Sequence, residues 1–401
     1  MKEHIEKYIN EERIVNLLVD LIEIHSPYFH EDKIIDYVHE WLLKNDLSPK
    51  IHKYHEKEIT NFKGQNVIGR LKGNKEGIKI LLNAHLDTVN ICKGWQGDPL
   101  KAEIDGDKLY GLGALDMKSG VAALMIAIDA FYRLNPKFSG EIVYTFVSDE
   151  EGPYGLGTEA LLQEDWCNNI DLALIPEPSS GFTKEKFPCL CLGARGGWNY
   201  TVSFKGKAAH AANPEEGISA IVDASKVMVE LKKMQMKEDE KLGRGSLCII
   251  EANGGGQACS VADHASFTVF RHVVRGEDKT YIEREVQNAI ERANIHSDVE
   301  ISFRKGPYEG NGGFDPYIVE EDHPYTITLD KCIEKVTCKP VKIAYFSSIG
   351  DFNTIATRLD IPTFLFGADG ENYHTHDEFV YIHSVVETSK VIYEFLKELL
   401  V

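Results

Sequence analysis

Two histidines and a set of carboxylates fall just past the ends of short apolar runs in this chain. After "IKILLNA" come His85 and Asp87, and "LYGLGAL" leads to Asp116. "EIVYTFVSD" leads to Glu150 and Glu151, "DLALIP" to Glu177, and "IPTFLFGADGENY" to His374. Open α/β sheets bind their ligands in the crevice beyond the carboxyl ends of their strands. Taken singly, each residue is explained as well by a satisfied buried polar group. Together, imidazole nitrogens and carboxylate oxygens form the donor set preferred by zinc and its neighbours. Two histidines and three carboxylates exceed what one tetrahedral catalytic zinc with an open position requires, and a two-metal site sharing one carboxylate accounts for them. The run Asp149, Glu150, Glu151 would be costly at a buried strand end unless something offsets its repulsion.

The elements that must position these residues alternate between helical and strand patterns. Ile14, Leu17, Leu18, Leu21 and Ile22 recur at helical spacing, as do Ile34, Ile35, Val38, Trp41 and Leu42. "NVIGRL", "IKILLNA", "EIVYTFV" and "DLALIP" read as short buried strands, with a helix from about Met117 to Arg133 between the second and third. That alternation predicts an α/β sheet covered on both faces. From Trp198 to Arg304 the order becomes β-α-β-β-α-β, the split ferredoxin-like arrangement of an inserted domain. Gly-rich "GPYEGNGGFDP" marks its exit. The α/β pattern then resumes with "VKIAYF", "IPTFLFG" and a closing helix from about Ser384 to Leu399. We therefore expect a metal-binding catalytic domain from residues 1–193 and 311–401, and an inserted domain from 194–310.

Bulk properties narrow the partners. At 401 residues, two domains are the default expectation. A net charge of −19, with no basic stripe, speaks against nucleic acid and against an anionic membrane surface. No apolar run reaches membrane-spanning length, and "VAALMIAI" is too short. The N-terminal stretch lacks the apolar core and cleavage site of a signal peptide. Eight scattered cysteines without a CxxC pair suit a reduced, cytoplasmic protein. An acidic chain can still bind anionic substrates where metals or local arginines reverse the field, so the total does not settle the ligand.

The segments "HLDT", "GLGALDMKSG", "DEEG", "PEPS" and "HTHDE", in this order, resemble the signature of the M20 metallopeptidase and amidohydrolase family. That family includes acetylornithine deacetylase, succinyl-diaminopimelate desuccinylase, aminoacylases and carboxypeptidases, and the likeness runs from about residue 10 to the C-terminus. The resemblance implies a zinc-peptidase-like α/β catalytic domain with the ferredoxin-like insertion acting as lid and dimerisation domain. It implies two Zn2+ per subunit, with Co2+ or Mn2+ as possible substitutes. His85, Asp116 and Glu177 would hold one ion, and Asp116, Glu151 and His374 the other. Glu150 would be the general base, Asp87 would stand behind His85, and the protein would be a homodimer. Residue chemistry agrees with these roles. Asp87 is two residues from His85, which in extended chain puts both on one face, where a carboxylate fixes the ring tautomer. Asp116 is the only carboxylate of its segment, as a bridging ligand requires. Strand geometry sends Glu150 and Glu151 to different sides, one toward a metal and the other toward water. Spacing alone leaves His376 as a rival to His374, and the family's H-x-x-D-E pattern selects His374.

Within the insertion, "KGKAAHAANPEEG" resembles the family segment that places a histidine, here His210, at the developing oxyanion, often across a dimer interface. Two departures stand beside it. Cys259 and Ala262 occupy the Asn and Pro positions of the family's N-x-x-P-D, and Phe270-Arg271-His272 replaces D-x-R. Arg271 remains as the candidate for binding a substrate carboxylate. "GLGALD" lacks the third glycine of a dinucleotide loop. Cys259 has no activating base placed beside it, and Cys189 and Cys191 read as buried strand cysteines. The expected activity is hydrolysis of a C–N amide bond in a small N-acyl amino acid or related substrate. A dipeptidase or carboxypeptidase is the alternative. A metal-binding protein without catalysis is a remoter one, since it would have no need of Glu150.

Overall fold

The computed structural model describes residues 5–183, 185–308 and 312–401. The chain first lays down helices α1 (Glu11–Glu23) and α2 (Asp32–Lys44), then strands β1 (Lys50–His55), β2 (Lys63–Lys72) and β3 (Lys75–His85). Helix α3 (Ser119–Leu134), strand β4 (Ser139–Val147), the short helix α4 (Leu156–Leu162), and strands β5 (Leu172–Ile175) and β6 (Cys189–Ala194) follow. Asn10 caps α1 by accepting from the Arg13 N–H at 3.0 Å, and the five apolar residues at helical spacing are its buried face. The run "VAALMIAI" lies inside α3, which is buried from Ser119 through Phe131; this explains apolarity on every side of a helix within the fold. Among the described residues, no helix is long and apolar enough to cross a membrane.

The insertion then runs β7 (Gly196–Lys205), α5 (Ala220–Lys232), β8 (Ser246–Gly255), β9 (His264–Val273), α6 (Lys279–Ala293) and β10 (Asp298–Phe303). Its sheet order is β8-β9-β7-β10 with every neighbour antiparallel, the split β-α-β topology read from the sequence. Along β9 burial alternates strictly, so Ala265, Phe267, Val269, Arg271 and Val273 share the inward face. The core of this unit joins that face to Val227 and Leu231 of α5 and to Ile282 and Val286 of α6.

The chain returns through α7 (Pro324–Thr337), β11 (Lys342–Phe346), α8 (Asp351–Leu359), β12 (Thr363–Leu365) and α9 (Ile382–Leu400). Two units result, Met1–Ala194 with Ile318–Val401, and Arg195–Tyr317. The return expected at 310/311 falls on residues outside the described ones. In the first unit the main sheet follows the order β1-β2-β4-β3-β5-β12-β6, with β11 parallel to β6. Strands β4, β3, β5 and β12 are parallel, so their carboxyl ends open on one side. Helices α7 and α8 were not among the expected elements. Helix α8 starts after Gly350 and buries Phe352, Ile355 and Ala356, a stripe too short to stand out from the sequence.

The structure corrects the reading of Arg271 as a substrate anchor. Its side chain is fully buried, and its guanidinium is committed to Glu285 at 3.1 and 3.2 Å, to Glu277 at 2.5 Å and to the His272 carbonyl. The strand period places it on the core face, and two carboxylates with a carbonyl use the donors a ligand would need. Arg271→Met strands two buried carboxylates, so it should destabilise the protein by about 3–5 kcal/mol in urea unfolding. Unchanged stability would refute this structural assignment.

Candidate metal centre

Parallel register brings the site together. His85, the last residue of β3, pairs with Val147, the last of β4, and Glu177 follows β5 by two residues. The loop after β4 is held by Asp87, whose two carboxylate oxygens accept from the Glu150 N–H at 3.1 Å and the Glu151 N–H at 2.8 Å. His85 Nδ1 meets the Asp87 carbonyl at 3.1 Å and its carboxylate at 3.5 Å. Asp87 thus backs the imidazole and also fastens the acidic motif, and the second task was not foreseen.

Asp116 sits in a loop threaded around another carboxylate. Glu378 is buried and accepts from the N–H groups of Gly113 at 2.7 Å, Leu115 at 2.9 Å and Asp116 at 2.9 Å. Gly113 has φ +74°, the left-handed turn that lets these amides converge. Asp116 then offers Oδ1 to His85 Nε2 at 3.2 Å and Oδ2 to His374 Nε2 at 3.1 Å. His374 also meets Glu151 at 2.9 Å, and His85 Nε2 lies 3.8 Å from Glu177.

These contacts form two overlapping groups of donor atoms, each gathered within 4.8 Å: His85, Asp116 and Glu177, and Asp116, Glu151 and His374. One carboxylate belongs to both. The rival His376 pairs with Asp377 at 3.1 Å and belongs to neither group. A third group joins Glu150, Glu177 and Asp351. Asp351 is the site residue that sequence reasoning missed. Its only signal is a Gly-Asp pair at the start of α8.

The electrostatics are those of a site short of positive charge. Burial pushes Glu150 and Glu177 well above the usual carboxylate range, and His85 only partly offsets it. Burial, with the Asp116 charge beside it, raises Glu151 to about 7. At Asp116 burial is outweighed by hydrogen bonds from His374 and His85, which hold its carboxyl far below that range. Burial opposes protonation of His374, but Asp116 and Glu151 raise it to about 11. Glu177 Oε2 is buried with no hydrogen-bond partner. A divalent cation would satisfy such oxygens and take the place of the imidazole protons, so the donor set fits two ions.

The remaining candidates fall elsewhere. Asp149 is buried; burial, with the Asp87 charge nearby, raises it to about 9. His210 lies exposed on the inserted unit, and its Nδ1 accepts from the Ala212 N–H at 3.1 Å. That bond leaves the proton of the neutral ring on Nε2. Cys189 and Cys191 are buried free thiols on β6, while Cys259 is free and exposed.

Comparison with known proteins places this architecture. Residues 81–398 match the model of peptidase family M20/M25/M40. The succinyl-diaminopimelate desuccinylase of Sulfurovum sp. is 25% identical over 391 residues, covering 96% of this chain and 97% of that one. Aminopeptidase PepT from Bacillus cereus has the same fold, with a TM-score of 0.77, 23% identity, and coverage of 98% of this chain and 99% of that one. A dinuclear metal-binding peptidase from Bacillus subtilis aligns at a TM-score of 0.70 with 16% identity, over 97% and 98% of the two chains. With five donors gathered at the strand ends and a family match over most of its length, this chain belongs to peptidase family M20/M25/M40 and is a metal-dependent hydrolase of amide or peptide bonds.

Proposed function

We propose that the protein binds two zinc ions through His85, Asp116, Glu151, Glu177 and His374, and hydrolyses the amide bond of a small N-acyl amino acid or a related compound. The observation that carries this reading is the place of Glu150. It stands outside the two groups of donors that share Asp116, with Oε2 within 4.0 Å of His85 Nε2. Its other oxygen accepts from the Asp351 N–H at 3.1 Å. The bound ions would supply Lewis acidity, polarising the scissile carbonyl and acidifying water. Glu150 takes the proton of the attacking water on its free oxygen and returns it to the leaving nitrogen. Asp116 belongs to both donor groups, and Asp87 holds the backbone of Glu150 and Glu151. His210, with its proton on Nε2, is suited to donate to the developing oxyanion.

A peptidase reading stands beside the deacylase one. Arg271 is committed to Glu277 and Glu285, so it does not tell an N-acyl amino acid from a dipeptide, both of which carry a free carboxylate. A panel of N-acetyl, N-succinyl and N-carbamoyl amino acids with dipeptides, assayed on zinc-loaded protein, separates the two by which class turns over.

We further propose a homodimer through the inserted unit. Strand β8 is an edge strand, and Ile250 on it and Ile221, Val222 and Val229 on α5 are exposed. Unpaired strand edges and exposed apolar side chains are covered in stable assemblies.

Three outcomes test these assignments. Glu150→Gln should lower kcat by about 10²–10⁴-fold while metal content by elemental analysis stays at two ions. Substantial activity in that variant would remove Glu150 as the base. In metal-free protein the raised His85 and His374 carry protons at neutral pH, and binding must displace them. Zinc affinity therefore falls as pH falls, by about tenfold per pH unit for each proton displaced. Calorimetry in buffers of different ionisation enthalpy reads the protons released, and a pH-independent affinity would contradict the ligand set. Finally, the double variant Ile221→Asp, Val229→Asp should be monomeric by light scattering. If His210 serves the partner's site, that variant should lose as much activity as His210→Ala, about 10²–10³-fold. A wild-type protein of single-chain mass would rule out the dimer.

A further inference from the structure

We propose that the side chain of Asp351 is a positioning residue, which anchors the start of α8 so that its first amide holds the carboxylate of Glu150 in one orientation. The proposal rests on Glu150 being the base. Asp351 is buried, and its Oδ2 accepts from Asn83 Nδ2 at 2.9 Å and from Thr158 Oγ1 at 2.5 Å. Those donors stand on separate elements, Asn83 on β3 and Thr158 on α4. Asn83 is itself fixed, since its Oδ1 accepts from Thr145 Oγ1 of β4 at 2.6 Å. The network therefore ties the first residue of α8 to the two strands whose ends carry His85 and the acidic motif.

The backbone N–H of the same residue donates to Glu150 Oε1 at 3.1 Å, and the Gly350 N–H is satisfied separately by Asn353 Oδ1 at 3.1 Å. A glutamate has three side-chain torsions, and without a partner its carboxylate would sample several rotamers. Holding Oε1 leaves Oε2 as the oxygen that faces His85. The Asp351 amide can do this only if the helix start stays in place. An acid is a costly way to secure it, because Asp351 lies among Glu150 and Glu177 in one donor group and its Oδ1 is buried without a partner. An apolar residue would escape that repulsion but would lose both anchoring bonds, and misplacing a catalytic group by 1 Å is enough to cost about 10²-fold in rate.

Crystal structures of zinc-loaded wild type and Asp351→Ala give the first readout. Wild type should keep Oε1 on the 351 amide, and the variant should show a displaced helix start or a second Glu150 rotamer. On whichever compound of the acyl amino acid and dipeptide panel turns over, Asp351→Ala should lower kcat by about 10–100-fold with KM and zinc content unchanged. Asp351→Asn, whose amide oxygen still accepts from Asn83 and Thr158, should restore most of it. Thr158→Val removes one anchoring donor and should give a smaller loss of the same kind; it decides the matter if Asp351→Ala fails to fold. Wild-type kcat in Asp351→Ala or Thr158→Val, an unmoved Glu150 in the crystal, or loss of zinc from Asp351→Ala would each overturn the anchoring role. Activity in Glu150→Gln would instead overturn the base on which the role depends.

Discussion

Buried negative charge is the constraint around which this protein is organised. Asp87, Asp116, Glu177, Asp351 and Glu378 are all buried at one end of a parallel sheet, with Glu150 and Glu151 beside them. Carboxylates so crowded repel one another and lose their hydration. The fold meets this in two ways. Some acids are spent on backbone: Asp87 binds the amides of Glu150 and Glu151, and Glu378 binds those of Gly113, Leu115 and Asp116. Of the others, Asp116, Glu151 and Glu177 turn their oxygens toward two imidazoles and the space between them, where cations would neutralise them.

The two backbone-binding acids cross-brace the site. Asp87 follows His85 in sequence but fastens the segment that carries Glu151. Glu378 follows His374 but fastens the segment that carries Asp116. Each donor group therefore has members whose loops are tied by a side chain from a neighbouring loop. This is the outer support that metal ligands need to hold their geometry.

Much of this was legible in sequence because strand ends are marked by apolar runs and the donors are of unusual type. His85, Asp116, Glu151, Glu177 and His374 each follow such a run or lie in a distinctive motif, and all five converge. The insertion was legible because its six elements are regular and their alternation is clean, as in β9. Asp351 was missed because one acid at the start of a nine-residue helix has no pattern of its own. Arg271 was misread because charge suggested a ligand, while its place in the period-two register of β9 assigns it to the core. Asp149, to which the sequence assigned no role, sits at φ +60°, and its Oδ2 accepts from the Leu156 N–H at 3.2 Å, so it stabilises a buried turn.

The division of the first unit between the two ends of the chain bears on biosynthesis. A ribosome that has delivered residues through Ala194 has supplied His85, Asp116, Glu150, Glu151 and Glu177, but neither the start of α8 nor His374. The insertion is continuous in sequence and can close its own core as it emerges, since domains fold as units during synthesis. The first unit has to wait. Its acids stand without Glu378 to draw in the Asp116 loop and without the second imidazole until the last segment arrives. The donor group that includes His374 thus closes only with the final segment of the chain, which completes the fold as well.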